Sequence, residues 1–270
     1  MGSYFTTRKM IKRIREEKPD IIHLHNVHGY YLHVPLFFRY LQEEFNGKIF
    51  WTFHDCWPFT GHCPYFSHVN CNRWESECYH CPQKKEYPVR LFLDRSRKNF
   101  CQKKKLFTEL NNLSVIVPSE WMKQWVERSF MRDMDIQLVP NGIDLTMFHY
   151  SCNKEIYKKY DVPEEKIILG VANVWEKRKG LRDFLEIEKN IDGDKYQIIL
   201  VGLSKAQIKD LPKQIIGITS IAEAMACGTP VIVLDTSAVK ELVCEKRGIV
   251  LENNSVASYL KAIDEIEKGN

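Results

Sequence analysis

Four cysteines within nineteen residues form the densest group of metal-ligating side chains in this sequence: Cys63, Cys71, Cys78 and Cys81. The last two are separated by two residues, which is the spacing of half a zinc-chelating site. Three nearby histidines offer replacements for a thiolate: His62, His68 and His80. The wide gap between the first two cysteines does not match a standard zinc finger. Two interpretations therefore stay open, a structural zinc site and a set of reduced thiols in an aromatic loop; a cysteine nucleophile is disfavoured because nothing else in the sequence requires one.

Charged and polar side chains also follow two of the predicted strands. His54 and Asp55 come directly after the strand predicted over residues 49–53, and Arg178 and Lys179 follow a strand in the second half. The carboxyl ends of parallel strands are where α/β sheets bind ligands, and two positive charges there suit an anionic group. Simpler interpretations exist for each. A solvated basic turn explains the two cations, packing explains a histidine at a strand end, and Asp55 can cap a turn.

A third group of polar residues lies on a helix predicted over residues 219–226. It carries Glu223, and either Thr219 or Ser220 can cap its start. The alternative is an exposed helix glutamate with no role in binding. Three further histidines lie near the end of the first predicted strand: His23, His25 and His28. Packing or backbone hydrogen bonds explain these three more simply than a site does.

Both halves of the chain alternate strand and helix patterns, and this alternation positions the candidate residues. In the first half the predicted strands are residues 20–25, 49–53, 113–117 and 136–139. In the second half they are residues 167–172, 196–201, 215–218, 231–234 and 248–251. Apolar strands alternating with helices predict an α/β fold with two Rossmann-like parallel-sheet domains, over residues 1–145 and 146–270. Residues 56–88, rich in cysteine, proline and aromatic residues, are predicted to form an irregular insertion in the first domain.

The composition is that of an ordinary folded globular protein. Hydrophobic residues make up 44% and charged residues 27% of the 270 residues, which excludes a disordered chain. The formal charge of +4 is too small to indicate nucleic-acid binding but is compatible with anionic ligands or an anionic membrane surface. The sequence shows no leader pattern and no apolar run of roughly 18 residues, so we expect a cytoplasmic protein, with contact at the inner face of the membrane as an open alternative. In that reducing compartment nine cysteines are not expected to form a disulfide framework.

Six motifs follow one another along nearly the whole chain: residues 18–26 (KPDIIHLHN), 52–57 (TFHDCW), 117–121 (VPSEW), 140–144 (PNGID), 177–180 (KRKG) and 223–231 (EAMACGTPV). Together they resemble the retaining glycosyltransferases of family four, especially bacterial members that build cell-surface polysaccharides. The resemblance implies a GT-B fold, with an acceptor-side first domain and a nucleotide-sugar-binding second domain. It implies transfer from a UDP- or GDP-linked sugar to a glycan or lipid-linked acceptor, with retention, no nucleic-acid partner and no cofactor required for catalysis.

The resemblance also assigns roles to the candidate residues. His54, with Asp55 beside it, is implied to contact the donor sugar or the acceptor, orienting or stabilising it rather than attacking as a nucleophile. The donor site is implied to contain five residues: Arg178, Lys179, Thr219, Ser220 and Glu223. The two cations and the helix N-terminal amides would meet the diphosphate, and the glutamate would accept hydrogen bonds from the ribose.

The sequence departs from the pattern of the family in three places, so both domains are expected to be incomplete. The family has a strand and a glycine-rich loop before the segment that here begins at Met1. It also has a helix, a strand and an acidic loop before Thr219, and that loop carries the first glutamate of a Glu-x7-Glu motif that ends at Glu223. An arginine of the family is Asn173 here. The alternative function is therefore a non-catalytic remnant that binds a nucleotide or a protein partner; a zinc-organised RNA-binding module is disfavoured because no aromatic-basic motif is present.

Overall fold

The computed structural model of the chain describes residues 4–88, 93–142, 144, 146, 166–172, 175, 179–212, 215–218, 231–234, 241 and 248–268. The chain divides into two compact units, Met1–Asn141 (unit 1) and Gly142–Asn270 (unit 2). The sequence predicts this boundary after residue 145, whereas the structure places it after Asn141.

Unit 1 is built on a four-stranded parallel sheet. Its strands are β1 (Ile21–Leu24), β2 (Lys48–Thr52), β3 (Leu113–Val117) and β4 (Asp135–Leu138), hydrogen-bonded in that order. Its helices are α1 (Tyr4–Glu17), α2 (Val34–Glu43), α3 (Ser96–Thr108) and α4 (Glu120–Glu127). Because all four strands run in the same direction, the residues that follow them emerge at one carboxyl edge of the sheet.

Aromatic side chains from the helices and the central strand form the core of unit 1. Trp51 of β2 packs against Phe38 of α2 and Phe107 of α3, with ring centroids 5.2 and 4.9 Å apart. Helix α2 begins where the Nδ1 atom of His33 accepts a hydrogen bond from the backbone N–H of Leu36. These contacts hold β2 firmly, and with it the residues that follow β2.

The predicted insertion has little regular structure but packs tightly. It contains three short 3-10 helices, Trp57–Phe59, Ser67–Val69 and Arg73–Glu75. Lys103 of α3 anchors it by donating hydrogen bonds to the carbonyl oxygens of Trp57 and Thr60 at 2.6 and 2.9 Å. Helix α3 is missing from the sequence prediction, because its buried face includes a serine and this lysine and therefore lacks an apolar stripe.

Unit 2 contains two groups of parallel strands. β5 (Lys166–Val171), β6 (Tyr196–Val201) and β7 (Ile215–Ile218) form one sheet, and β8 (Val231–Leu234) pairs with β9 (Gly248–Leu251). Its described helices are α5 (Leu181–Asn190), α6 (Lys205–Lys209) and α7 (Val256–Glu267). The helix predicted over residues 219–226 lies outside the described residues.

The helices of unit 2 are held to its strands at Gly170 and at Glu267. Gly170 lets α5 approach β5 closely, because an added Cβ would lie 2.7 Å from Phe184 and 2.6 Å from Leu200. At the end of α7, the carboxylate of Glu267 accepts hydrogen bonds from Lys166, Lys195 and Tyr196. The hydrogen bond from Lys166 is the largest of the causes that lower the pKa of Glu267 to about 2.

The predicted α/β class with parallel sheets and flanking helices is confirmed. In the part of the chain that the structure describes, every helix is too short or too polar to cross a membrane.

Candidate functional site

The carboxyl edge of β1 and β2 brings several histidines together. Leu24 lies opposite Trp51 in the parallel register, so the residues that follow both strands leave the sheet side by side. The indole N–H of Trp51 donates to the carbonyl oxygen of His25 at 2.9 Å and fixes the backbone after β1. Histidines that follow the first strand therefore come within reach of those that follow the second.

Two hydrogen bonds join this edge across the strands. The Nε2 atom of His23 lies 2.8 Å from the hydroxyl oxygen of Thr52, and the Nδ1 atom of His25 lies 2.9 Å from the Nε2 atom of His54. The His25 and His54 rings are stacked, with centroids 5.2 Å apart and planes 15° apart. One proton bridges the two ring nitrogens of this pair, and a second proton there would break the hydrogen bond.

A second chain of contacts connects His28, Asp55 and Tyr87. The Nε2 atom of His28 lies 2.7 Å from Oδ2 of Asp55, and its Nδ1 atom lies 3.2 Å from the Tyr87 hydroxyl. The other oxygen of Asp55 accepts from the backbone N–H of Trp57 at 2.8 Å. Asp55 thus caps the turn after β2 and also holds His28. Both carboxylate oxygens are used inside the protein.

Burial and neighbouring imidazoles lower the pKa of two histidines at this edge. For His23 the largest cause is partial burial, followed by the charges of His25 and His54. For His54 partial burial again comes first, followed by His25, while Asp55 acts in the opposite direction. Both shifts favour the neutral imidazole, which can accept a hydrogen bond from a hydroxyl group.

Exposed tyrosines lie beside this cluster. Tyr30 and Tyr87 meet edge to face with centroids 6.3 Å apart, and the Tyr31 hydroxyl donates to the carbonyl oxygen of Asn26 at 2.6 Å. The three rings belong to residues that are 47–52% exposed. Tyr30 has a φ of 72°, a left-handed conformation that is strained for a bulky side chain. A strained, exposed aromatic residue next to a polar cluster is typical of a ligand-binding surface.

Sequence reasoning singled out His54 and Asp55 but interpreted His25 and His28 as packing residues. In the structure His54 is hydrogen-bonded to His25, and Asp55 is hydrogen-bonded to His28, so that interpretation is incomplete. A signal was present in the sequence, because both groups follow neighbouring parallel strands. Tyr87 gave no such signal, since it lies at the far end of the irregular insertion.

In unit 2, the loop that follows β5 is anchored by Trp175. Its indole N–H donates to the carbonyl oxygen of Val201 at 2.9 Å, and its own carbonyl accepts from the side chain of Gln207 at 3.0 Å. Helix α5 begins after Gly180, which has a left-handed φ of 75°. Lys179 is exposed directly before this glycine, next to the N-terminus of α5. The remaining predicted donor-site residues lie outside the described residues: Arg178, Thr219, Ser220 and Glu223.

The four cysteines of the insertion line the same small cavity, which has a volume of about 10 Å³. Cys63 is buried and the other three are half-buried. His62 lines the same cavity, and the His68 side chain is not among the described ones. Within the described ranges, no three or more histidine, cysteine and acidic side chains already stand in the geometry of a metal site.

Comparison with known families and proteins gives sequence matches to both units. The family described as Glycosyltransferase Family 4 matches residues 2–147, and the one described as Glycosyl transferases group 1 matches residues 216–270. WcaC of Escherichia coli K12, named as a colanic acid biosynthesis glycosyl transferase, is 29% identical over 137 residues. That alignment covers 48% of this chain and 33% of WcaC, so the chain spans about a third of that relative.

Three solved structures resemble the chain along almost its whole length. Sucrose-phosphate synthase from Thermosynechococcus elongatus gives a TM-score of 0.69 at 18% identity, covering 97% of this chain and 69% of that one. A glycosyltransferase from Rickettsia africae gives 0.63 at 17% identity, with 97% and 70% covered. HepE of Anabaena, in complex with UDP and glucose, gives 0.62 at 13% identity, with 97% and 71% covered. At these identities the likeness shows the fold, and the predicted GT-B class is confirmed.

Proposed function

The chain belongs to glycosyltransferase family 4, and from this premise we propose that it transfers a sugar from a nucleotide sugar to a glycan or lipid-linked acceptor with retention. The group 1 match over residues 216–270 supports a donor-binding role for unit 2. The HepE structures contain UDP, which supports a UDP-linked donor, with GDP as the second candidate. The name of WcaC supports an acceptor used in polysaccharide synthesis.

The observation that carries this proposal is the His25–His54 pair at the carboxyl edge of β1 and β2. The lowered pKa of His54 keeps its imidazole neutral near pH 7. Because its Nε2 atom is used by His25, its Nδ1 atom is the nitrogen that can meet a ligand. In transfer without an enzyme nucleophile, the leaving phosphate takes the proton of the acceptor hydroxyl. His54 then orients a hydroxyl of the donor sugar or of the acceptor through a hydrogen bond.

Asp55 acts one step behind His54 as a positioning residue. Its two oxygens hold the turn at Trp57 and the ring of His28, and through these contacts it supports the position of His54. It fixes the direction in which the backbone carries His54 away from β2. Small displacements of a reacting group cost rate, on the order of a hundredfold for about an ångström.

The exposed tyrosines supply a surface for the acceptor. Tyr87 lies against the ring of His28, and Tyr30 meets Tyr87 edge to face. The C–H face of a sugar ring packs on such aromatic surfaces. The arrangement fits an acceptor that carries a sugar ring close to the transferred bond.

Lys179 contributes to the donor side in unit 2. Lys179 comes directly before Gly180, the residue that caps the N-terminus of α5, where backbone N–H groups also favour negative charge. The diphosphate of a nucleotide sugar is the anion that family membership implies. Arg178, Thr219, Ser220 and Glu223 stay predictions for the same site.

Contact with an anionic membrane surface is a further part of the proposal. Helix α1 carries five basic residues, and its residue Phe5 is 76% exposed. The five are Arg8, Lys9, Lys12, Arg13 and Arg15. An apolar side chain beside basic residues suits the surface of an anionic bilayer. Sedimentation with vesicles of anionic lipid, compared with neutral vesicles, tests it; equal binding to both would contradict it.

A direct test compares sugar transfer by the wild-type chain with transfer by His54→Ala and His54→Asn. Release of UDP or GDP is measured over a panel of donor sugars and acceptor glycans, and Lys104→Ala, an exposed position on α3, is the control. We expect the first variant to lose on the order of a hundredfold in rate, the second to retain part of it, and the control to match the wild type. Undiminished transfer by His54→Ala would refute the role of His54. Nucleotide binding without transfer by the wild type would favour the non-catalytic remnant.

A further inference from the structure

We propose that the insertion of unit 1 binds one structural zinc ion through the thiolates of Cys63, Cys71, Cys78 and Cys81. All four line the same small cavity, although they come from three separate stretches of the loop. A cavity of about 10 Å³ accommodates one water-sized ligand, and therefore one ion, but not an iron–sulfur cluster. Four soft sulfur ligands around a single ion favour zinc.

The thiols already interact with one another. The Cys63 thiol donates a hydrogen bond to the Cys81 sulfur, and the charges of Cys71 and Cys78 also act on Cys63. This hydrogen bond places the sulfur atoms of Cys63 and Cys81 next to each other in the cavity that all four cysteines line. A divalent cation bound there would be surrounded by sulfur ligands.

Groups around the cluster are arranged to support sulfur in the charged form. The backbone N–H of Gly61 donates to the Cys78 sulfur at 3.2 Å, and the backbone N–H of Gln83 donates to the Cys81 sulfur. The positive charges of Arg73 and Lys103 act on Cys81 and Cys78. Hydrogen bonds and charges of this kind around a metal site orient its ligands and tune their basicity.

The hydrogen bond to the Cys78 sulfur depends on a glycine at position 61. A Cβ atom there would lie 2.7 Å from the Cβ of Cys78 and 2.2 Å from the carbonyl oxygen of Ser96. Only glycine lets the backbone donor reach the sulfur. The close approach ties the cysteine loop to the start of α3 and keeps Cys78 facing the cavity.

Zinc binding requires a small contraction of the cluster. The described residues contain no group already in metal-holding geometry, so the sulfur atoms must each come to about 2.3 Å from the ion. The thiols lose their protons to solvent as Zn²⁺ binds, giving four Zn–S bonds and a site with a net charge of about −2. The gain is a fixed centre for a loop whose regular structure consists of three short 3-10 helices.

The test measures the metal content of the 270-residue chain purified under reducing conditions without added zinc. By elemental mass spectrometry we expect about one zinc ion per wild-type chain. We expect less than about a tenth of an equivalent in Cys78→Ser and in Cys81→Ser. Cys101→Ser is the matched control, because Cys101 is an exposed thiol outside the cavity. This variant should contain as much zinc as the wild type. Less than about a tenth of an equivalent in the wild type, unchanged after incubation with zinc, would overturn the proposal.

A second measurement on the wild type does not depend on whether the variants fold. Zinc is replaced by Co²⁺, and four-thiolate tetrahedral coordination should give strong sulfur-to-cobalt charge-transfer bands in the near ultraviolet and intense visible bands. Weak visible bands typical of octahedral oxygen ligands would overturn the assignment. A disulfide between Cys63 and Cys81, found by mass spectrometry of the reduced preparation, would overturn it as well. Neither readout depends on sugar transfer, so the proposal stands or falls separately from the proposed function.

Discussion

The Nε2 atom of His28 lies 2.7 Å from the Oδ2 atom of Asp55, and the two side chains are only 9% and 7% exposed. This hydrogen bond joins the segment after β1 to the segment after β2, 27 residues apart. Removing one partner of a buried hydrogen bond leaves the other partner unsatisfied. The loss of stability is therefore larger than for an exposed pair. The contact therefore connects the stability of unit 1 to the position of His54.

Replacing Asp55 by alanine should destabilise unit 1. The change removes the acceptor for His28 and for the N–H of Trp57, and we expect the free energy of unfolding to fall by about 2–4 kcal/mol. Urea denaturation followed by tryptophan fluorescence measures it. The matched control is Asp133→Ala, an exposed aspartate of the same unit, expected to change the free energy by less than about 0.5 kcal/mol. Equal effects of the two changes would contradict the prediction.

The lowered pKa of His54 predicts how activity depends on pH. In the folded chain this pKa lies below the ordinary value of about 6.5, so the neutral imidazole persists below that pH. The unfolded chain binds more protons in this window, and the contribution to stability is full above about pH 6.5 and decreases as the pH falls toward the folded pKa. The acid limb of the rate profile should therefore lie below pH 6.5. Titration of the ring by NMR measures the pKa directly, and a value above 6.5 would be incompatible with this mechanism.

Two substitutions of Tyr30 distinguish the effect of its backbone strain from its role in ligand binding. Tyr30→Gly relieves a positive φ, which costs about 1–3 kcal/mol, but adds backbone entropy to the unfolded chain, about 0.5–1 kcal/mol. We expect the glycine variant to be at least as stable as the wild type, and Tyr30→Ala to be less stable than the glycine variant. Thermal unfolding measures this difference.

Both Tyr30 variants should raise the KM for the acceptor, by about tenfold, because both remove the ring. The KM for the donor should stay unchanged. Tyr4→Ala, on α1, is the control because Tyr4 has a similar exposure, 46% against 48% for Tyr30. If the acceptor KM is unaffected in both variants, the acceptor does not bind at this surface.

The strands were predictable because their apolar runs are short and bounded by turn residues. The prediction of residues 113–117 coincides with β3, and that of residues 196–201 coincides with β6. Helix α6 was missed because five residues are too short for a periodic pattern. Its signal was local instead, in the capping box between Ser204 and Gln207.

The candidate site was predictable only in part. His54 and Asp55 follow a strand, which local sequence shows. Their partners His25 and His28 are 29 and 27 residues away, and the pairing depends on the register of β1 against β2. A local pattern carries no information on register, so these contacts could not be derived without the fold.

The donor side offers the last test, through the charge of Lys179. A nucleotide diphosphate bound at the N-terminus of α5 would interact with this ammonium group, and a hydrogen bond to a charged group contributes roughly 1.5–3 kcal/mol. Lys179→Ala should therefore weaken binding of UDP or GDP by about tenfold or more, as measured by calorimetry at fixed salt. Lys189→Ala is the matched control, because it removes the same charge from the last turn of α5, where the lysine pairs with Glu186. Equal weakening by both changes would mean that only the net charge of unit 2 matters, and that Lys179 does not contact the diphosphate.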